Sequence, residues 1–196
     1  MRREEPQQGA SEGIRATTMQ AAIMAMGLVT LPMLLVSFGM GYAMSLGWMD
    51  VEVGTHVRVG LITAILTVLT HTTTMFYFLG TGAAIKAEVR ERNLDAVFLA
   101  RARAFKGAFF YWLTFGILLI MATAMIGGGV HADLLRPNPE AGRSMFAIAH
   151  EALAIISLVV NLVALIQTPV NIARNNRLLD EVGETRGGEA GERLEL

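Results

Sequence analysis

Apolar residues fall into four long blocks separated by short polar stretches. The first block holds no charged residue between Ala21 and Met49, and the second runs from Val57 to Leu79 with only Arg58 charged. The third covers Ala108 to Val130, and the fourth Met145 to Val170 with only Glu151 charged. A helix rising about 1.5 Å per residue needs roughly 20 residues to cross a hydrocarbon core of about 30 Å. Every block meets that length. The pattern predicts an all-α membrane protein, a four-transmembrane-helix bundle with spans at about 20–48, 57–80, 108–130 and 145–170.

The flanks differ in kind. Residues 1–18 and 179–196 are polar, rich in Gly and Glu, and read as flexible tails on a membrane domain covering 19–178. Ala43-Met44-Ser45 imitates a small-x-small cleavage site, but the apolar run ahead of it is too long for a secretory h-region. Pro32 falls inside the first span and predicts a kink there. Gly127-Gly128-Gly129 predicts the end of the third.

Orientation follows from Lys and Arg. The N-tail, the segment joining spans two and three, and the C-tail carry three, six and four of them; the opposite side carries only Arg58, Arg136 and Arg143. The positive-inside rule then places both termini in the cytoplasm, N-in and C-in. The cytoplasmic segment between spans two and three is basic and helical in pattern. Asn93 is placed to cap a helix from Leu94, with Leu94, Val97, Phe98 and Phe105 near one face and Arg101, Arg103 and Lys106 outside it. Residues 94–107 either lie on the inner leaflet or continue span three, and continuation fits better because only Gly107 interrupts them.

Composition narrows the function classes. The chain is 53% hydrophobic and 17% charged with mean hydropathy +0.48, too apolar for a soluble domain of 196 residues. A net charge of -1 argues against nucleic acid as a partner. With no cysteine there is no disulfide, thiolate metal site or iron–sulfur cluster. Arginine outnumbers lysine fourteen to two, a bias of GC-rich bacterial genomes, so the expected location is a bacterial inner (plasma) membrane.

Candidate chemistry lies in polar residues inside the spans. Such residues are costly in lipid and by default face the protein interior. On a helical wheel centred on His71, Gly60, Ala64, Thr67, Thr74, Phe78 and Gly82 share its face. Centred on His150, Ala154, Ser157, Asn161, Ala164 and Thr168 share another. The two stripes are expected to face each other, with His71 level with Asn161, with Gly116 and with the Thr30–Pro32 region. His71, Asn161, Thr74 and His150 are therefore the candidate cofactor-binding residues. Thr72 and Thr73 are read as bonded to their own helix backbone.

A b-type haem is the sharpest cofactor to weigh, since a four-helix bundle can hold one between interior imidazoles. By rise per residue, however, His71 and His150 stand roughly 15 Å apart in height and cannot share an iron. A second cluster, His56, His131, Asp133 and Glu151, falls in or near the outer loops, where imidazole and carboxylate together suit a divalent metal. No phosphate loop, nucleophile elbow, HExxH or paired intramembrane carboxylate is present. The sequence thus reads as a non-catalytic subunit or scaffold of a membrane assembly. Small-residue stripes such as Ser37, Gly41 and Ser45 would pack against the lipid-embedded partners of a homo- or hetero-oligomer. The alternative is a haem-binding or solute- and proton-conducting bundle working along the His71/Asn161 face.

Overall fold

The computed structural model describes the backbone of residues 5–134 and 144–192 and the side chains of 17–133 and 144–185. It is all-helical, with α1 (Glu5–Ser45), α2 (Val53–Glu91), α3 (Val97–Leu134) and α4 (Met145–Glu192). Each of the four is long and apolar enough to cross a membrane. Arg2, Arg3, Arg136, Arg143 and Arg193, which enter the charge count, lie outside the described residues, as do the side chains of Arg15 and Arg186. Helical backbone reaches into both polar flanks, from Glu5 and to Glu192.

The helices alternate in direction around a bundle. α3 packs on α2 and α4, and α1 packs on α2 and α4. α2 and α4 also meet across one diagonal, whereas among the described residues no Cα atoms of α1 and α3 come within 8 Å, although side chains of both enter the same apolar clusters. The backbones are therefore closer along the α2–α4 diagonal than along the α1–α3 diagonal.

The helix ends correct three expectations. α1 stops at Ser45, short of residue 48, because Gly47 takes a left-handed φ of 71° and closes the turn. Trp48 N–H donates to Ala43 O at 2.8 Å, the bond that satisfies a terminal carbonyl in this motif. Asn93 does not open a helix; at φ 54° it closes α2 in the same way, with Leu94 N–H donating to Val89 O at 3.0 Å. The cap of α3 is Asp95, whose carboxylate accepts Val97 N–H at 2.8 Å. Residues from Val97 onward belong to α3 itself, so the basic segment is the first turns of that helix.

Gly127-Gly128-Gly129 does not end α3, which continues to Leu134. Gly127 and Gly129 are packing sites, while Gly128 has nothing within 4 Å of where a Cβ would stand. A Cβ on Gly127 would stand 2.8 Å from the His150 ring and one on Gly129 3.0 Å from Phe146, so α4 side chains lie directly on the α3 backbone. Contact of this kind removes the solvent exposure that makes glycine a helix breaker.

Along most of the length the outside is apolar and the interior mixed, with polar residues set between apolar clusters such as Ile23, Phe78, Phe109 and Leu113. The interior holds Thr30, Thr63, Thr67, Thr70, His71, Ser157 and Asn161, while Leu28, Phe76, Met125 and Ile166 are exposed. Buried threonines satisfy themselves: Thr63, Thr67, Thr70 and Thr74 each donate to the carbonyl four residues back. Past Asn171 the pattern turns over. Leu178 and Val182 are buried with Ile85, Val89 and Ala102, and Arg174, Arg177 and Asp180 face out.

Candidate functional site

The polar residues of the interior sort into three levels. The first is a half-open cavity of about 550 Å³ between the ends where α1 and α3 finish and α2 and α4 begin. Its walls are mainly apolar, including Leu34, Phe38, Leu61, Ala64 and Ile120. His56 from α2, His131 from α3, and His150 and Glu151 from α4 also line it. The histidines are thus not loop residues. Each sits on a helix and reaches one shared space.

Two of them are close. The rings of His56 and His150 have centroids 6.4 Å apart and planes at 79°. His150 Nδ1 pairs with the carbonyl of Thr123 at 3.0 Å; since a carbonyl only accepts, Nδ1 carries the proton and Nε2 the lone pair. His56 Nδ1 and His131 Nδ1 are buried with no hydrogen-bond partner among the described residues. Glycine permits both close placements: a Cβ on Gly41 would stand 2.7 Å from His56, as one on Gly127 would stand 2.8 Å from His150. Glu151 accepts from Ser45 Oγ at 2.6 Å, tying α4 to the end of α1.

The second level lies beneath the cavity. His71 and Asn161, both fully buried, meet at 2.8 Å between Nε2 and Oδ1. Asn161 Nδ2 donates to Ser157 O at 2.8 Å and lies within reach of Ser157 Oγ (3.1 Å) and Gly116 O (3.3 Å). With its amide nitrogen so committed, Asn161 turns its oxygen to His71, which donates from Nε2. His71 Nδ1 is left an acceptor with no partner among the described residues. Ser157 also lines the cavity, so it joins the two levels.

The third level is at the opposite end. Tyr77 Oη donates to Asn176 Oδ1 at 2.9 Å and accepts from Gln20 Nε2 (2.9 Å) and Asn175 Nδ2 (3.2 Å). Thr81 donates to Asn175 Oδ1 at 3.2 Å. Lys106 Nζ donates to Phe78 O at 3.2 Å, with its ammonium 5.8 and 5.9 Å from the Phe78 and Phe105 ring centres.

No family model, curated protein or solved structure matches this chain. The site must speak for itself.

Of the expected cofactor residues, the structure joins His71 to Asn161 but ties the Thr74 hydroxyl to Thr70 O at 2.7 Å, away from that pair. His150 faces His56 instead of His71. The expected metal set His56, His131, Asp133 and Glu151 does not converge, and among the described residues no three His, Asp or Glu side chains are placed to hold an ion. Lys106, read as lying outside the apolar face, is buried because Gly82 leaves room for its ammonium. Asn175 and Asn176, which are not among the expected site residues, belong to the third level. Their signal was present: 157, 161, 164, 168, 171 and 175 continue one three-four spacing along α4, all buried.

Proposed function

We propose that this is an integral membrane protein, with cytoplasmic termini in a bacterial inner membrane, that holds a small ligand in the cavity lined by His56, His131 and His150. The carrying observation is that cavity. Its volume lies within the range of roughly 300–1,000 Å³ found for ligand sites, and its apolar walls with a few polar groups have the usual make-up of one. Membrane residence is supported by the apolar outer faces and by four helices of spanning length. The cytoplasmic orientation rests on the excess of Lys and Arg on that side.

This reading displaces the scaffold as the first choice for a specific reason. Ser37, Gly41 and Ser45, the small-residue stripe expected to meet a partner, line the cavity. A subunit that only packs has no need of a cavity carrying three imidazoles. Native mass spectrometry of the full chain released from lipid nanodiscs tests the proposal. A bound molecule of defined mass is expected in the wild type and not in Gly60→Leu, which fills the cavity wall. A wild-type chain that always flies bare would overturn it.

A further inference from the structure

We propose that the ligand of this cavity is an iron tetrapyrrole of the b-haem class, held between His56 and His150 as its two axial ligands. The inference rests on the cavity being a ligand site, and it names the class of ligand.

Spacing comes first. An imidazole nitrogen sits about 2 Å from a bound metal and about 1 Å in front of its own ring centre. Two imidazoles on opposite sides of one iron therefore place their ring centres about 6 Å apart. The His56 and His150 centroids stand 6.4 Å apart. Direct edge-to-face contacts in this same protein span 5.5 Å for Phe78 on Phe109 to 6.4 Å for Phe78 on Phe105, so the spacing alone admits either a direct contact or a shared iron. The spacing permits axial ligation of one iron, and the chemistry of the two imidazoles selects it.

Ligand chemistry agrees. A histidine that binds a metal through one nitrogen usually gives its other N–H to a carbonyl or carboxylate, which fixes tautomer and orientation. His150 does this through Nδ1 and Thr123 O at 3.0 Å. His56 contributes a buried Nδ1 with no partner among the described residues, a polar atom at the cavity that lacks the bond a buried nitrogen requires.

Ligand number then separates a haem from a bare ion. Protein-bound zinc takes three or four side-chain ligands. Among the described residues no third His, Asp or Glu joins this pair. A tetrapyrrole supplies four nitrogens of its own and asks the protein only for the axial positions.

Shape is the last part. The line from His56 to His150 runs along the diagonal on which α2 and α4 meet. A macrocycle normal to that line extends toward α1 and α3, the pair of helices whose backbones stand farther apart among the described residues. Gly41 of α1 and Gly127 of α3 seat the two imidazole rings themselves, and beside them on the α3 wall Gly128 has nothing within 4 Å of where a Cβ would stand. Glycine is the residue that lets a backbone approach a flat ligand.

The test uses the full chain, expressed with a haem precursor in the medium and purified in detergent. Visible spectra are recorded oxidised and dithionite-reduced, and the pyridine adduct gives the stoichiometry. One haem per chain is expected, with the narrow α and β bands of low-spin bis-imidazole iron. Ring planes near perpendicular also predict a strongly anisotropic low-spin ferric EPR signal. Protein isolated without pigment is titrated with haemin and should take up one equivalent. His56→Ala and His150→Ala each lose the low-spin spectrum, while His71→Gln keeps it. If the alanine variants fail to fold, His56→Met and His150→Met must still show a changed axial-ligand spectrum. An unaltered spectrum in these variants, or a wild type that takes up no haemin, overturns the proposal. A bound mass other than haem in the native spectrum removes the haem and leaves the cavity reading standing; no bound mass at all removes both.

Discussion

Gly116 of α3 lies against the His71–Asn161 pair so closely that a Cβ there would stand 2.7 Å from Asn161 Oδ1. The same atom would be 3.1 Å from the His71 ring, and both neighbours are fully buried. Three helices therefore converge on a point where one of them has no side chain. Gly116→Ala is expected to cost about 1–3 kcal/mol, the usual range for overpacking. Gly80, where an added Cβ would meet nothing within 4 Å, is the control. Gly80→Ala should be neutral or stabilising by up to about 1 kcal/mol through helix propensity. Unfolding in detergent titrations of both variants checks the contrast, and equal destabilisation would dismiss it.

The hydrogen bond itself is expected to be worth little. Interhelical bonds in membranes average about 0.6 kcal/mol and reach about 1.7. His71→Gln should fold and insert as wild type does, and His71→Leu should lose no more than that upper figure. In His71→Leu/Asn161→Leu both buried polar partners are gone, so part of the loss should return. A double-mutant cycle reads the coupling. A coupling well above about 2 kcal/mol, beyond the range of such bonds, would mean that the pair does more than join two helices.

Tyr77→Phe removes the hydroxyl shared by Gln20, Asn175 and Asn176; Gln20 and Asn176 keep each other, but the buried Asn175 Nδ2 loses its bond to Tyr77. A loss of about 1–3 kcal/mol is expected, the cost of stranding a buried polar group. Tyr77→Phe with Asn175→Leu should be less destabilising than the sum of the single changes. Thermal unfolding of the purified variants decides; strict additivity would show that the network is not coupled.

Lys106 offers a contrast of charge against stem. Lys106→Met retains the aliphatic packing on Phe78 and Phe105 and loses the bond to Phe78 O, so a change of about 0.5–1.5 kcal/mol is expected. Lys106→Glu places a carboxylate beside that carbonyl and should lower stability several-fold more than Met does. Melting temperatures in one detergent rank the two, and the reverse order would contradict the burial described here.

Orientation has its own assay. Fusions after residue 196 should give fluorescence from a cytoplasmic reporter and no activity from a periplasmic phosphatase. The opposite pair of results would turn the bundle over and put the histidine cavity on the cytoplasmic side.

Much of the fold could be read from charge-free length alone, because hydrophobic runs of spanning length have few alternatives to helix. The His71–Asn161 contact was legible for a related reason: two polar stripes on neighbouring helices have nowhere else to go. The His56–His150 pair was not, because position in sequence puts both near loops, and only the extra turn of α2 before Val57 brings His56 inside. Glycine misled where it was read by propensity. A Gly127-Gly128-Gly129 run is a helix breaker in water, yet Gly127 and Gly129 are the surface on which the His150 and Phe146 rings of α4 lie. Lys106 was misplaced because a charge count cannot register a carbonyl and two aromatic rings waiting for it.

The turnover of pattern along α4 has a practical consequence. From Met145 to about Val170 its exposed side is Ile148, Ile155, Val159 and Ile166; after Asn171 its exposed side is Arg174, Arg177 and Asp180. On the membrane reading, one continuous helix is judged by two solvents. An outward Leu→Arg substitution is an injury in its first half and an ordinary surface residue in its second, and an inward Asn→Leu changes meaning in the same way. A uniform hydrophobicity scale applied to the whole helix would rank half of its variants backwards, with the change of sign falling at the ring of Asn171, Asn175 and Tyr77.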